Sequence, residues 1–158
     1  MIRIGQGFDI HRFAPGRRLV LGGIEIPGAD GLLGHSDADV LLHAVADAVL
    51  GALALGDIGH WFPDNDQAFK DADSRKLLLA VLQDPRVAGW RLGNLDITML
   101  AEKPKIAPHV PAIRHSLATL FKADIAQISV KATTLEKLGA LGRAEGMAAM
   151  AVILLEKP

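Results

Sequence analysis

Asp9 and His11, two apart in Gly5-Gln6-Gly7-Phe8-Asp9-Ile10-His11, and a lone His43 closing His35-Ser36-Asp37-Ala38-Asp39-Val40-Leu41-Leu42-His43, are the side chains best suited to chemistry in this chain. Ile2-Arg3-Ile4 leads into Asp9 with a strand-like pattern. In a strand, residues i and i+2 leave the same face, so one carboxylate and one imidazole converge. With His43 they make an Asp-His-His donor set for one zinc ion. Three protein ligands leave a fourth position open, and open sites polarise a substrate or water whereas closed four-ligand sites are structural. The chain has no cysteine, so disulfides and thiolate sites are excluded and any metal takes His and carboxylate ligands.

Those ligands need a strand and a helix to hold them. Ser36 followed by Asp37 and Asp39 is a helix-start signal, with acids where the helix dipole favours them, and the helix is predicted to run to about Gly51. Val40, Leu41, Leu42, Ala44, Val45, Ala48, Val49, Leu50 and Leu53 make most of its circumference apolar. Asp39, His43 and Asp47, spaced by four, interrupt it as one stripe. Either that stripe faces water, with His43 an ordinary surface histidine, or a cation or hydrogen-bonded partners offset the cost of burying it. Asp47 in turn either orients His43 or is surface charge.

Elsewhere, residues 1 to 27 read as a meander. It closes in a hairpin of Arg18-Leu19-Val20-Leu21, the Gly22-Gly23 turn and Ile24-Glu25-Ile26, and Pro27-Gly28 ends it. Gly56 to Asp73 is a long loop of turn formers and acids, a length associated with function when it carries fixed-looking aromatic and proline residues. Ser74 is predicted to cap a helix to about Gln83. Strands follow at Leu95 to Leu100, Ile128 to Thr133 and Met147 to Leu155. A helix spans Val110 to Phe121, and Gly139, Gly142 and Gly146 punctuate a turn-rich stretch. The intermixed elements predict an α/β fold of the α+β type: a mixed β-sheet with helices packed on one face.

At 158 residues the chain is expected to form a single domain spanning 1–158. Half of the residues are hydrophobic, yet Tyr is absent, Trp numbers 2 and Phe 5, so the core is built from Ala, Leu, Val and Ile. That apolar excess in so small a chain predicts a homo-oligomer, because obligate interfaces resemble a core cut in half. Basic residues number 17 and acidic 18, with no basic block, which argues against a nucleic-acid partner. The N-terminus enters a strand-like pattern with no basic and apolar leader, and no apolar run approaches membrane-spanning length. The expectation is a cytoplasmic protein with no membrane partner.

Five motifs occur in order: Gly-x-Gly-Phe-Asp-x-His, His35-Ser36-Asp37-Ala38-Asp39-Val40 to His43, Gly56-Asp57-Ile58-Gly59, Phe62-Pro63-Asp64, and Lys131-Ala132-Thr133-Thr134-x-Glu136-Lys137-Leu138-Gly139. Together they resemble the 2-C-methyl-D-erythritol 2,4-cyclodiphosphate synthase family of the non-mevalonate isoprenoid pathway, over essentially the whole chain. The resemblance implies a homotrimer with its sheets toward the three-fold axis and active sites between neighbouring subunits. It implies that the 2-phosphate of 4-diphosphocytidyl-2-C-methyl-D-erythritol 2-phosphate attacks the diphosphate arm, closing the ring and expelling CMP. Asp9, His11 and His43 are then zinc ligands, and Glu136 binds a second divalent cation, magnesium or manganese. His35 and Thr134 would position the reacting phosphates. Ser36, Asp57, Ile58, Gly59, Phe62, Pro63, Asp64 and Asp66 fall in the motifs that contact the substrate. Ala101, Lys103, Lys105, Ile106 and Ala107, with Thr133, match a cytidine diphosphate pocket from the adjacent subunit.

Read without the family, Thr133 and Thr134 are ordinary β-branched strand residues, Lys103 and Lys105 solvated loop charges, and Asp57, Asp64 and Asp66 turn formers. The stretch around Arg143 either cradles an anion through backbone N–H groups or is a plain turn. His60, His109 and His115 match no role. The chain departs from the family pattern at Ala140, where many relatives carry Phe, and at Ala144, where the pattern has Gly; the resemblance implies that this segment lines a cavity near the trimer axis, so the departures bear on ligand binding there and not on catalysis. Two rival functions use the same residues: a zinc-dependent phosphohydrolase, and a non-catalytic ligand-binding trimer in which zinc tethers strand to helix.

Overall fold

The computed structural model describes residues 1–157. The chain runs β1 (Ile2–Leu21), β2 (Ile24–Leu32), α1 (Val40–Ala52), α2 (Ile58–Trp61), α3 (Ser74–Gln83), β3 (Arg91–Leu100), α4 (Val110–Phe121), β4 (Ile128–Thr133), α5 (Gly139–Gly142) and β5 (Gly146–Glu156). One mixed sheet has the order β2-β1-β5-β3-β4, with β3 and β4 parallel and the other neighbours antiparallel. Helices share a sheet with both strand directions, as the α+β reading anticipates.

The N-terminal meander is in fact one twenty-residue strand serving two ladders. Ile2 to Arg12 pairs with β5, from Ile2 opposite Glu156 to Arg12 opposite Gly146, and the remainder pairs with β2. The β1–β2 register breaks between Ala14 and Arg18, around Pro15-Gly16, where proline has no N–H to give a ladder. The hairpin forms as read, with Gly22 at φ 61° and Gly23 at φ 76°, the left-handed pair that a tight twisted hairpin requires. Pro27-Gly28 does not end β2. Residues 27–29 bulge out of the ladder and pairing resumes at Asp30, tolerable because β2 is an edge strand.

The first helix begins later than the Ser36 signal indicates. Ala38 adopts φ 57°, which no helix continues, and Asp39 is the N-cap, accepting the Leu42 N–H at 3.0 Å. The same fully buried carboxylate accepts the Gly22 and Gly23 N–H groups at 3.0 and 2.7 Å, so one side chain closes the helix and clamps the hairpin turn. Burial pushes its pKa up to about 6 against the lowering by those hydrogen bonds. Asp39 thus leaves the stripe it was predicted to share with His43 and Asp47.

Alternate residues of β1 decide how α1 sits on the sheet. Gly5 and Gly7 point at the helix, where a Cβ on either would fall inside the backbone of α1, against the carbonyl oxygens of Ala48 and Ala44 respectively. On the helix side, Ala44, Ala48 and Ala52 are small and buried. Helix backbone therefore lies almost directly on strand backbone, and Asp9 and His11, continuing the alternation, emerge where the N-terminal half of α1 crosses. The other face of the same strands carries exposed Ile2, Ile4, Phe8, Ile10, Met150 and Val152. Among the described residues, no helix is long and apolar enough to cross a membrane.

At the other end of the chain, Gly139–Gly142 forms one helical turn rather than an open turn, and Ala144 adopts φ 58°, a conformation costing an alanine about 1 kcal/mol relative to glycine.

Gly7→Ala forces α1 off β1 because the obstruction is backbone, which cannot rotate away. We expect a loss of about 3 kcal/mol or more in urea unfolding, together with loss of cation binding at His43, whereas Gly28→Ala, whose added Cβ meets nothing, leaves cation binding intact.

Candidate metal centre

Strand β1 supplies Asp9 and His11 and helix α1 supplies His43. Asp9 Oδ2 lies 2.9 Å from His11 Nε2 and 3.0 Å from His43 Nδ1, and the two ring nitrogens are 3.3 Å apart. Ligands bound to a tetrahedral zinc-type ion at ~2.0–2.1 Å sit ~3.3 Å from each other, so this triangle is close to one face of a coordination tetrahedron. Among the described residues these three form the group of His and carboxylate side chains able to hold a metal. The water-facing reading of His43 is overturned, since its side chain is 13% exposed.

The proton on each ring is placed by its other nitrogen. His11 Nδ1 donates to the Leu33 carbonyl at 2.7 Å, leaving the Nε2 lone pair for the cluster. His43 Nε2 lies 3.0 Å from Ser74 Oγ and 3.2 Å from Ser36 Oγ. The Ser74 hydroxyl donates its own proton to the acceptor-only carboxylate of Asp37, which also accepts the Ser74 N–H. Ser74 Oγ therefore accepts from His43 Nε2–H, which leaves Nδ1 turned to Asp9 and His11. A cation that displaces the ring protons shared with Asp9 Oδ2 would then meet three lone pairs.

Asp47 does not orient His43. Its Oδ1 accepts the Ile58 N–H at 2.7 Å, tying α1 to the loop above the site. Burial, then the neighbouring charges of Asp57 and Asp9, raises its pKa against that hydrogen bond. Burial also opposes ionisation of Asp9, but hydrogen bonds and charge from His11 and His43 outweigh it and hold the Asp9 carboxyl far below the usual range. For His11, burial favours the neutral ring, and the hydrogen bond and charge of Asp9 reverse this and raise its pKa above 6.5.

The open side of the triangle faces a cleft of about 500 Å³, lined by Asp9, His11, His35, Ser36, His43, Ile58, Gly59, Phe62, Pro63 and Asp64 with Gly34, Asn65, Phe69 and Leu77. The predicted Gly56 to Asp73 loop forms one wall, containing α2 and a short 3-10 turn. Asp57 caps α2 by accepting the His60 N–H at 2.9 Å. Asp66 caps the 3-10 turn, and its carbonyl accepts from His35 Nε2 at 2.8 Å. Both are turn formers in this chain, with Asp66 also fixing the His35 ring.

A second group of predicted residues collects at the far ends of β3 and β4. The Ala101 N–H donates to the Thr133 carbonyl at 3.1 Å, and Thr134 Oγ1 donates to Glu136 Oε1 at 3.0 Å. Thr133, Thr134 and Glu136 are exposed, as are Lys103, Lys105 and Ala107, while Ile106 is buried. These strands and β1 point the same way, so both groups are at one end of the sheet. Between them lie β5 and β3, about 14 Å of sheet at ~4.8 Å per strand. Arg143 pairs with Glu145 at 2.7 Å, and the amides of residues 142–145 are used by carbonyls of residues 138–141, so no backbone anion cradle forms there. His60 and His115 are exposed and His109 half-buried, outside the cleft.

Ser74 and Asp37 were invisible to spacing arguments as ligand supports. Ser74 had the credentials of an N-cap, but Asp73 takes that position, accepting the Arg75 N–H at 2.9 Å, and so frees the Ser74 hydroxyl.

An alanine-rich helix laid on a mixed sheet, with an Asp-His-His cluster open to a cleft, defines a metal-site protein of the α+β class. The chain belongs to the YgbB family, whose model matches residues 2–156. A Listeria monocytogenes 2-C-methyl-D-erythritol 2,4-cyclodiphosphate synthase is 61% identical over 157 residues, 99% of this chain and 100% of that protein. A solved 2C-methyl-D-erythritol-2,4-cyclodiphosphate synthase in its CDP-bound form superposes with a TM-score of 0.88 at 37% identity, covering 98% of this chain and 100% of that one. A Plasmodium falciparum relative in complex with CDP gives 0.85 at 37% identity over 99% and 97% of the two chains.

Cation affinity is expected to rise with pH, because the raised His11 pKa means that a bound ion displaces a proton. In the apoprotein the sign is opposite. The protonated His11–Asp9 pair stabilises the fold fully below pH 6.5, and that contribution is lost as pH rises through the His11 pKa. The cation-induced rise in Tm should therefore grow between pH 6 and 8, with proton release in calorimetry. Ser74→Ala should weaken cation binding about tenfold in a chelator competition, with unchanged stoichiometry.

Proposed function

We propose that this protein converts 4-diphosphocytidyl-2-C-methyl-D-erythritol 2-phosphate to 2-C-methyl-D-erythritol 2,4-cyclodiphosphate with release of CMP, as a homotrimeric phosphorus-oxygen lyase of the non-mevalonate pathway. The observation that carries this reading is the triangle of Asp9, His11 and His43, whose rings are oriented in advance by the Leu33 carbonyl and the Ser74 hydroxyl and whose open side faces the cleft. Full-length relatives of that name and the CDP-bound neighbours support the substrate class.

The donor set suits zinc: nitrogen and oxygen ligands, three in number, with tetrahedral spacing. Glu136, one exposed carboxylate beside the Thr134 hydroxyl, suits magnesium or manganese, which take one or two carboxylates plus substrate phosphates. When bound, such cations supply positive charge to phosphate oxygens. The chain's residues supply placement. An oxygen of the substrate's 2-phosphate forms a bond to the phosphorus nearer the methylerythritol unit, and the bond from that phosphorus to the bridging oxygen breaks. CMP departs with that oxygen, so no water is consumed. Nucleophile and electrophile belong to one molecule and both are anionic, so the barrier lies in bending the chain and suppressing repulsion. His35, its Nε2–H held by the Asp66 carbonyl, lines the cleft and would orient a phosphate, and Gly59 and Asp64 would contact hydroxyls. The cytidine end sits on Ala101 to Ala107 and Thr133 of a neighbouring copy. The exposed apolar face of β1 and β5 supports this assembly, as it would be buried around the three-fold axis.

Incubation with the cytidine diphosphate substrate, zinc and magnesium should give the cyclic diphosphate and CMP by phosphorus NMR, with no oxygen-18 taken up from labelled water. A linear product carrying the label would point to hydrolysis instead. His43→Ala should abolish turnover while sedimentation still reports three times the mass of one chain; a species of single-chain mass, or a collapsed fold, would favour a tethering role for the metal.

A further inference from the structure

Glu102 lies just past the end of β3 and reaches across to the segment that follows β4. Its Oε1 accepts the N–H of Leu135 at 2.9 Å and that of Lys137 at 3.2 Å. Between those two amides sits Glu136, at φ 50°, followed by Lys137 at φ 63°. Two successive non-glycine residues in the left-handed region are sterically disfavoured, and such a conformation persists where its surroundings over-determine it. A carboxylate gripping the amides on either side of Glu136 is that determinant. Its effect is to turn the Glu136 side chain back beside Thr134, whose hydroxyl donates to Glu136 Oε1.

We propose that Glu102 is a positioning residue that presets Glu136 and Thr134 to receive a divalent cation bound to a diphosphate. The proposal rests on the reading of Glu136 as a cation ligand. Glu102 acts through the backbone, its Oε1 holding the amides of Leu135 and Lys137. It also couples the two strand ends: Glu102 sits between Ala101, tied to the Thr133 carbonyl, and Lys103, so the loop predicted to hold the nucleotide and the loop predicted to hold the cation share one fastening. A parallel pair has no hairpin to join its ends, and a side-chain clasp takes its place.

The test uses the whole protein with zinc, manganese and CDP as probes. Glu102→Ala and Glu102→Asp, the latter keeping the charge but a methylene too short, should each speed amide exchange at Leu135 and Lys137 by tenfold or more without ligands. Both should weaken manganese binding in the presence of CDP about tenfold by electron paramagnetic resonance. Glu102→Gln, whose carbonyl can accept the same amides, should retain most of both properties. Zinc affinity at Asp9, His11 and His43 should change by less than twofold in all three variants, which also shows that they fold. If Glu136→Ala weakens manganese binding and Glu102→Asp does not, the positioning role is overturned while the cation-ligand reading stands. If Glu136→Ala has no effect either, that reading fails and the proposal falls with it.

Discussion

Contact between the backbone of α1 and the backbone of β1 is the constraint on which the site depends. A typical helix rides on a sheet at a distance set by its side chains. Here the glycines of Gly5-Gln6-Gly7 remove the strand's side chains and Ala44, Ala48 and Ala52 shorten those of the helix. Only when the axes come this close can an imidazole on α1 meet a carboxylate and an imidazole on β1 at about 3 Å. The same alternation that turns Gly5 and Gly7 toward the helix turns Asp9 and His11 toward it, so the strand's two-residue period sets both the approach and the ligands.

Close packing would still fail if the ends of α1 were free to move. Asp39 fixes one end by satisfying the helix N-terminus and the Gly22-Gly23 turn with a single buried carboxylate, and Asp47 fixes the cleft loop through the Ile58 amide. Asp37 reaches from the same segment to the start of α3 through Ser74. Among the described residues no buried side-chain polar atom lacks a partner, which in so apolar a helix environment is the condition for keeping these acids at all. The acids of His35-Ser36-Asp37-Ala38-Asp39 thus divide the work: Asp37 locks the tautomer of His43 indirectly, and Asp39 anchors the helix that carries it.

Much of this was legible from residue types. Strand period put Asp9 and His11 on one face, the hairpin followed from Gly22-Gly23, and α4 and β4 from their apolar patterns, each being a local property; that His43 joins the pair is not local, and rested on the donor set and the family resemblance. What escaped was what tertiary contacts decide. Ser36 looked like the cap, but Ala38 turns the chain and Asp39 finds a better use for its carboxylate in a turn seventeen residues upstream. Asp47 looked like a partner for His43 by helical spacing, yet a nearby backbone amide claimed it. Ser74 looked like a cap because serine usually is one, and its role depends on Asp37, thirty-seven residues away. Pro27-Gly28 looked like a strand end because the sequence does not announce that β2 lies at an edge.

The separation of the two residue groups carries the argument from one chain to several. Asp9, His11 and His43 sit on β1 and α1, whereas Thr133, Thr134 and Glu136 follow β4, with two strands between them. A diphosphate must be held by cations at close range if charge repulsion is to be suppressed, since an interaction across many ångströms of solvent is screened. A single copy would spread the two proposed cation sites across its sheet. Placing the β4 end of one copy against the β1 end of the next, as in the proposed trimer, would close the gap. The apolar strip of Ile4, Phe8, Ile10, Met150 and Val152 is on the sheet face opposite α1, so burying it around an axis leaves the cleft and its helix outward and accessible. The proposed assembly and the proposed chemistry therefore make the same demand on the sheet: one face bare of helices and apolar, the other covered and carrying ligands.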